Sequence, residues 1–196
     1  DLTGSLAEGL RTHVTEVRRR LPGATVLLQL DEPALPAVLA ARVPTESGLG
    51  AYRAVRTETA RDALRTVIDA VETPVLVHCC AADVPLELIR TAGAAAVALD
   101  LTLLRDLDPL GEVIDAGLGV FAGAAPTSVP PGGRAPTSAQ VADRVRQVWD
   151  RLGFPRAQLA RQVVVTPACG LAGASSEYVR AVFAACREAA RRLAED

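Results

Sequence analysis

The stretch TPVLVHCC, residues 73–80, is the part of the chain from which the fold is most directly inferred. Its first half is a short apolar run that follows a proline, and such a run is typical of a strand buried on both faces. Because side chains alternate along a strand, His78 and Cys80 leave on the same face and Cys79 leaves on the opposite one. The stretch therefore predicts a buried strand that presents a nitrogen and a sulfur atom at its end, with Cys79 packed in the core.

Outward from this stretch, strand-like and helix-like segments alternate along the whole chain. Further apolar runs predict strands at 25–31, 95–101, 118–122 and 162–166. Amphipathic stripes predict helices at 6–21, 60–71, 86–91, 141–152 and 179–193, with another ending at 116. A capping box at residues 5–8 predicts the start of the first helix. Alternation of apolar strands with helices indicates a parallel sheet covered by helices.

Five residues whose side chains could take part in chemistry stand at the ends of four of these strands. Asp31, His78, Cys80, Asp100 and Cys169 all lie at or just past the C-terminal end of a predicted strand. In a (β/α)8 barrel this end of the strands carries the active site. The pattern predicts an α/β fold, namely the C-terminal part of a TIM barrel with about five βα units. We expect residues 1–196 to form a single domain.

Five units cannot close an eight-stranded barrel, and the chain begins at Asp1 and contains no methionine. About three N-terminal βα units, roughly 100 residues, are therefore expected to be missing. The strand next to the gap would expose an unpaired edge, through which the protein is expected to self-associate.

Composition excludes several classes of function. The 21 basic residues, all arginine, nearly balance 23 acidic ones, and the net charge is −2, which predicts no nucleic-acid partner and no attraction to acidic membranes. The absence of lysine excludes a P-loop lysine and a lysine Schiff base. No apolar run reaches the roughly 18 residues of a membrane span. Four cysteines in this spacing suit no disulfide framework, so a reducing cytoplasm is expected.

His78, Cys80 and Cys169 together form a soft ligand set, for which zinc is the expected metal. A catalytic zinc has three protein ligands and an exchangeable position, and Asp100 on the neighbouring strand is the expected fourth ligand. For any one of these residues alone, a buried thiol or a hydrogen-bonded histidine in the core is the simpler interpretation. Their joint position at strand ends favours a metal site.

Three motifs carry a resemblance to a known family. QLDEPA at 29–34, VHCC at 77–80 and TPACGL at 166–171 resemble the motifs of the cobalamin-independent methionine synthases, and especially their short single-barrel, actinobacterial-type members. The order and approximate spacing match across nearly the whole chain. The resemblance implies that His78, Cys80 and Cys169 ligate zinc and that Asp31 contacts the amino-acid part of homocysteine.

The implied activity is that of a zinc-dependent methyltransferase. A methyl group would move from a methylated folate-like donor to a small-molecule thiol such as homocysteine, forming methionine. Zinc would lower the pKa of the bound thiol, and the resulting thiolate would attack the methyl group.

Two departures from the family pattern keep alternatives open. Asp100 stands where the full-length enzymes have glutamate, and the stretch 121–126 lacks the histidine that the family has there. We assign no catalytic residue. One alternative is a non-catalytic barrel relative that binds zinc or a ligand without methyl transfer. Another is a cysteine nucleophile, Cys80 or Cys79, activated by His78.

Overall fold

A computed structural model describes residues 1–129 and 133–195; residues 130–132 and 196 of the predicted domain lie outside the described residues. The strands are β1 (Leu28–Asp31), β2 (Val75–His78), β3 (Ala96–Asp100), β4 (Gly119–Ala125) and β5 (Val163–Pro167). The helices are α1 (Leu2–Arg20), α2 (Leu35–Leu39), α3 (Thr57–Asp69), α4 (Leu86–Thr91), α5 (Asp108–Asp115), α6 (Ser138–Leu152), α7 (Arg156–Gln162) and α8 (Ser176–Glu195).

The strands form one five-stranded sheet in the order β1-β2-β3-β4-β5, so that neighbours in sequence are neighbours in the sheet. β1 pairs with β2 in parallel, with Asp31 opposite His78, and β4 pairs with β5 in parallel, with Gly123 opposite Thr166. Helices alternate with the strands throughout. The predicted α/β fold, part of a TIM barrel, is confirmed.

The described residues group into two compact units, of which the first comprises residues 1–79 and 83–97. In this unit α1 packs on α3, and α3 packs on α4. The first helix begins at Leu2, because the Asp1 side chain accepts the Thr3 N–H at 3.0 Å. The capping box predicted at residues 5–8 is therefore wrong: an earlier aspartate provides the cap. The most deeply buried side chains of β2 and α4 are Val75, Leu76, Val77 and Ile89.

The second unit comprises residues 80–82 and the chain from 98 onward. Here α6 packs on α8, and α8 packs on β5. α6 begins with a capping box between Thr137 and Gln140 and ends at Gly153, whose φ of 75° is the left-handed conformation that glycine adopts without strain. Tyr178 on α8 donates its hydroxyl to the carbonyls of Pro126 and Ser128, and thereby ties the segment after β4 to α8.

The structure adds local elements that hydrophobic periodicity does not reveal. α2 and α7 have five and seven residues, too short for a helical stripe to stand out. β1 starts at Leu28 rather than at 25, and β4 continues to Ala125. No helix in the described part of the chain is both long and apolar enough to cross a membrane.

Candidate metal centre

Asp31 and His78 meet at the C-terminal ends of β1 and β2. The parallel register makes them Cα partners, and Asp31 Oδ1 lies 3.1 Å from His78 Nδ1. Gln29, two residues earlier on the same strand, donates its Nε2 to the same carboxylate oxygen at 2.8 Å. The ladder continues past this pair, because Glu32 N–H donates to the His78 carbonyl at 2.8 Å. Main-chain pairing thus brings the two side chains together.

Glu32, adjacent to Asp31, takes the opposite side of β1. Its side chain lines an apolar hollow of about 350 Å³, together with Leu30 and Leu35. Burial raises the pKa of the Glu32 carboxyl, and the negative charge of Asp31 adds to the effect. Glu32 therefore faces away from His78, as the alternation of strand side chains predicts.

Cys80 and Cys169 approach one another although 89 positions separate them in the sequence. The Cys169 thiol lies on the turn after β5 and donates to the Cys80 sulfur, with the two Sγ atoms 3.3 Å apart. Cys169 is exposed and Cys80 is half-buried. Two sulfur ligands on one tetrahedral zinc, each at about 2.3 Å from the metal, would be about 3.8 Å apart. A shift of a few tenths of an ångström would give that spacing.

His78, Cys80 and Cys169 form a group that could hold a metal ion. Cys80 and Cys169 supply sulfur atoms 3.3 Å apart within the second unit, and His78 is two residues before Cys80 in the sequence. An imidazole and two thiols suit zinc and other soft or borderline metals and suit calcium or magnesium poorly. Of the sequence-predicted ligands, Cys80 and Cys169 meet within the second unit, and His78 contacts Asp31 within the first.

Asp100, the fourth predicted ligand, is not a member of this group. Its Oδ1 accepts the Thr102 N–H at 2.8 Å and the Thr102 hydroxyl at 2.6 Å, an Asx-type turn at the end of β3. Asp100 also lines a hollow of about 170 Å³ with Gly123 and Ala168, the neighbour of Cys169. Ligation by Asp100 stays a prediction.

A family model described as the catalytic domain of the cobalamin-independent synthase matches residues 2–192. The chain belongs to this family. The resemblance carried by the three sequence motifs is therefore confirmed. Among curated proteins, none matches the chain.

One solved structure shares the fold of this synthase-family chain. A B12-independent methionine synthase from Shewanella sp. W3-18-1, in complex with selenomethionine, superposes with a TM-score of 0.59 at 18% identity, over 93% of this chain and 52% of that one. The chain thus spans about half the length of that synthase. An N-(5'-phosphoribosyl)anthranilate isomerase from Pyrococcus furiosus aligns with a TM-score of 0.34 at 15% identity, over 88% of this chain and all of that one.

Sequence reasoning missed two features of this synthase-family site. Gln29 lies in the first motif but received no role, although its position two residues before Asp31 places both on one face of β1. Gly123 on β4 is the second: a Cβ there would lie 2.5 Å from the Leu99 carbonyl oxygen and 2.6 Å from Ala168 Cα. A bulge in the pairing of β4 with β5 lies at the same place, between Gly123 and Ala125. Only the close approach of neighbouring strands reveals this requirement for glycine.

The remaining two cysteines are buried and are not members of the group. Cys79 is 0% exposed, in agreement with its predicted packing role. Cys186 lies on the buried face of α8, and burial raises the pKa of its thiol to about 11.

These environments predict the order in which the thiols react with iodoacetamide. At pH 8 only about one Cys186 thiol in a thousand would be ionised, and the thiolate is the reactive form. We expect Cys169 to be alkylated first, Cys80 next, and Cys79 and Cys186 only after denaturation, when all four should react. Peptide mass spectrometry over time measures this order. Labelling of Cys186 in the native protein as fast as that of Cys169 would contradict the buried environment.

Proposed function

We propose that this synthase-family chain binds zinc through His78, Cys80 and Cys169 and takes part in methyl transfer to a thiol. The acceptor is homocysteine, the product is methionine, and the donor is a methylated folate-like amine. The observation that carries the proposal is the approach of the Cys80 and Cys169 sulfur atoms to 3.3 Å, with the His78 imidazole two residues before Cys80 in the sequence. Membership of the cobalamin-independent synthase family supports the reaction class.

The donor set argues for zinc in particular. Thiolates are soft ligands that select zinc over magnesium and calcium, and three protein ligands leave a position for an exchangeable one. Asp100 would occupy that position in the resting protein and yield it to the substrate thiol. We propose the cytoplasm as the compartment, because reducing conditions keep both ligand cysteines reduced.

The chain's own residues would hold and orient the substrate. A bound zinc would lower the pKa of a coordinated thiol, so that the thiolate nucleophile is available at neutral pH. Asp31 would bind the ammonium group of homocysteine through its carboxylate, whose side chain is 66% exposed. This contact would direct the homocysteine sulfur towards the methyl donor. It would also reduce the entropy that the two substrates lose on reaching the transition state.

The overall reaction balances without a further reactant. The bond between the acceptor sulfur and the methyl carbon forms as the bond between that carbon and the donor nitrogen breaks. The nitrogen keeps the electron pair of the broken bond and takes up a proton, while the acceptor thiol gives one up. No oxidant or reductant is needed.

A second candidate function, metal-dependent thiol binding without methyl transfer, is favoured by two observations. Asp100 Oδ1 already accepts two hydrogen bonds from Thr102, and its side chain is shorter than the glutamate of the full-length enzymes. The stretch 121–125 runs along β4 and contains no histidine. A site of this kind would still bind zinc and homocysteine.

Metal analysis and a labelled-methyl assay on the purified protein test both candidates. We expect about one zinc per chain in protein purified without any chelator. Homocysteine should change the thiolate-to-metal absorption band of the cobalt-substituted protein. Transfer of labelled methyl from a methylated folate to homocysteine supports the first candidate. Metal and thiol binding without transfer supports the second, and absence of any bound metal rejects both.

A further inference from the structure

Three polar side chains form a chain of hydrogen bonds on one face of β1 and β2. Gln29 Nε2 donates to Asp31 Oδ1 at 2.8 Å, and the same oxygen lies 3.1 Å from His78 Nδ1. All three belong to the first compact unit. Asp31 thus contacts the predicted metal ligand His78 directly. From the sequence, Asp31 was predicted only to contact homocysteine.

The main chain holds this arrangement in place. Asp31 and His78 are register partners in the parallel ladder, and the hydrogen bond from Glu32 N–H to the His78 carbonyl at 2.8 Å extends the ladder past them. Neighbouring strands lie about 4.8 Å apart, so two side chains on one face and in register are forced into contact. The His78 side chain is only 15% exposed, which further limits the positions of its ring.

The hydrogen bond dictates where the ring proton lies. An ionised carboxylate only accepts hydrogen bonds, so His78 Nδ1 must donate. In a neutral imidazole the other nitrogen, Nε2, then carries the lone pair. Gln29 donates to the same carboxylate oxygen and limits the rotation of the Asp31 carboxyl group. Asp31 Oδ2 receives no hydrogen bond from these two partners and stays open to a cation.

We infer that Asp31 is a positioning residue that holds His78 as the Nδ1–H tautomer and presents Nε2 to the metal, with Gln29 fixing Asp31 in turn. The inference rests on the proposed function in that His78 ligates zinc. A carboxylate behind a metal-binding histidine orients the ring and raises its basicity. Asp31 therefore has two separate tasks: Oδ1 orients the metal ligand, and Oδ2 remains for the substrate ammonium.

Two substitutions separate these tasks. Asp31→Ala removes the acceptor and should weaken zinc binding about 10- to 100-fold in competition with a chromogenic chelator. Asp31→Asn keeps an oxygen that accepts from Gln29 and His78, so its zinc affinity should fall less than about tenfold, although the charge for the ammonium group is lost. Asp62→Ala, which removes a carboxylate that pairs with Arg61 on α3, is the matched control and should leave zinc affinity unchanged.

Nitrogen NMR of the metal-free, histidine-labelled protein gives a readout independent of zinc and of activity. The chain has two histidines, so His13→Gln identifies the His78 signals. At a pH where imidazole is neutral, we expect the Nδ1–H tautomer in the wild type and in Asp31→Asn, and a mixture of tautomers in Asp31→Ala.

The outcomes distinguish this inference from the proposed function. A wild-type His78 that is not the Nδ1–H tautomer, or an Asp31→Ala protein with unchanged tautomer and zinc affinity, overturns the inference. A wild type that shows the tautomer but binds no zinc overturns the proposed function and leaves the positioning of His78 by Asp31 supported.

Discussion

Gly123→Ala is expected to lower the free energy of unfolding by about 3 kcal/mol, because the new methyl group would overlap main-chain atoms that cannot move cheaply. The added Cβ would lie 2.5 Å from the Leu99 carbonyl oxygen, 2.6 Å from Ala168 Cα and 3.3 Å from Asp100 Cα. Relief of these overlaps requires β4 to move away from both neighbouring strand ends. Urea denaturation followed by circular dichroism measures the change.

The same substitution should also weaken metal binding. Ala168 precedes Cys169, so a displacement of the Ala168 backbone would move the Cys169 sulfur away from the Cys80 sulfur. The two sulfur atoms are 3.3 Å apart in the wild type. Gly170→Ala is the matched control, since nothing lies within 4 Å of a Cβ built there. We expect its stability to stay within about 0.5 kcal/mol of the wild type. An unchanged denaturation midpoint for Gly123→Ala would show that the strand ends are further apart than described.

Cys80→Ser is expected to reduce zinc affinity at least about a hundredfold. Structural zinc sites bind with about 10–16 kcal/mol shared among four ligands, or about 3 kcal/mol for each. A loss of about 3 kcal/mol corresponds to roughly a hundredfold in the dissociation constant. Serine is a poor replacement because its hydroxyl does not ionise near neutral pH and its oxygen is a harder donor. Cys169→Ser should give a loss of similar size. Chelator competition measures both affinities.

Cys79→Ser provides the matched control for the ligand assignment. The substitution is chemically identical and lies one residue away, but Cys79 is 0% exposed whereas Cys80 is half-buried. We expect the substitution to lower the stability of the fold, because it places a hydroxyl at a fully buried position. Zinc bound per folded molecule should equal that of the wild type. Loss of zinc in Cys79→Ser with retention in Cys80→Ser would reverse the assignment of the two thiols.

Much of the fold was predictable because its determinants are local. A fully apolar strand such as 75–77 cannot lie in a sheet with one solvated face, and amphipathic stripes between such strands demand helices over it. The helix boundaries were less predictable. α1 begins at the cap provided by Asp1 rather than at the serine of the predicted capping box, since either residue can cap a helix and only the folded backbone selects one.

The candidate site was predictable in part for a similar reason. Parallel strands bring their C-terminal ends to one edge of a sheet, so polar residues at several strand ends suggest a shared site. The contact of Asp31 with His78 was not predicted, because it depends on the register of β1 against β2, and a shift of one residue would turn one side chain to the other face. Asp100 was expected among the ligands, and the turn it forms with Thr102 depends on local backbone angles that residue type alone does not specify.

By itself the sequence determined the alternation of strands and helices, the residues available as soft metal ligands, and the family motifs, because periodicity and residue chemistry act within a few positions. Only the tertiary structure decided which of those residues meet. Cys80 and Cys169 lie 89 positions apart, and their sulfurs come within 3.3 Å of one another. Residue 123 must likewise be a glycine because of segments remote in sequence: the backbone there lies too close to Leu99 and Ala168 to leave room for a Cβ. Distances between segments remote in sequence depend on strand order, register and packing density, which are properties of the folded chain as a whole.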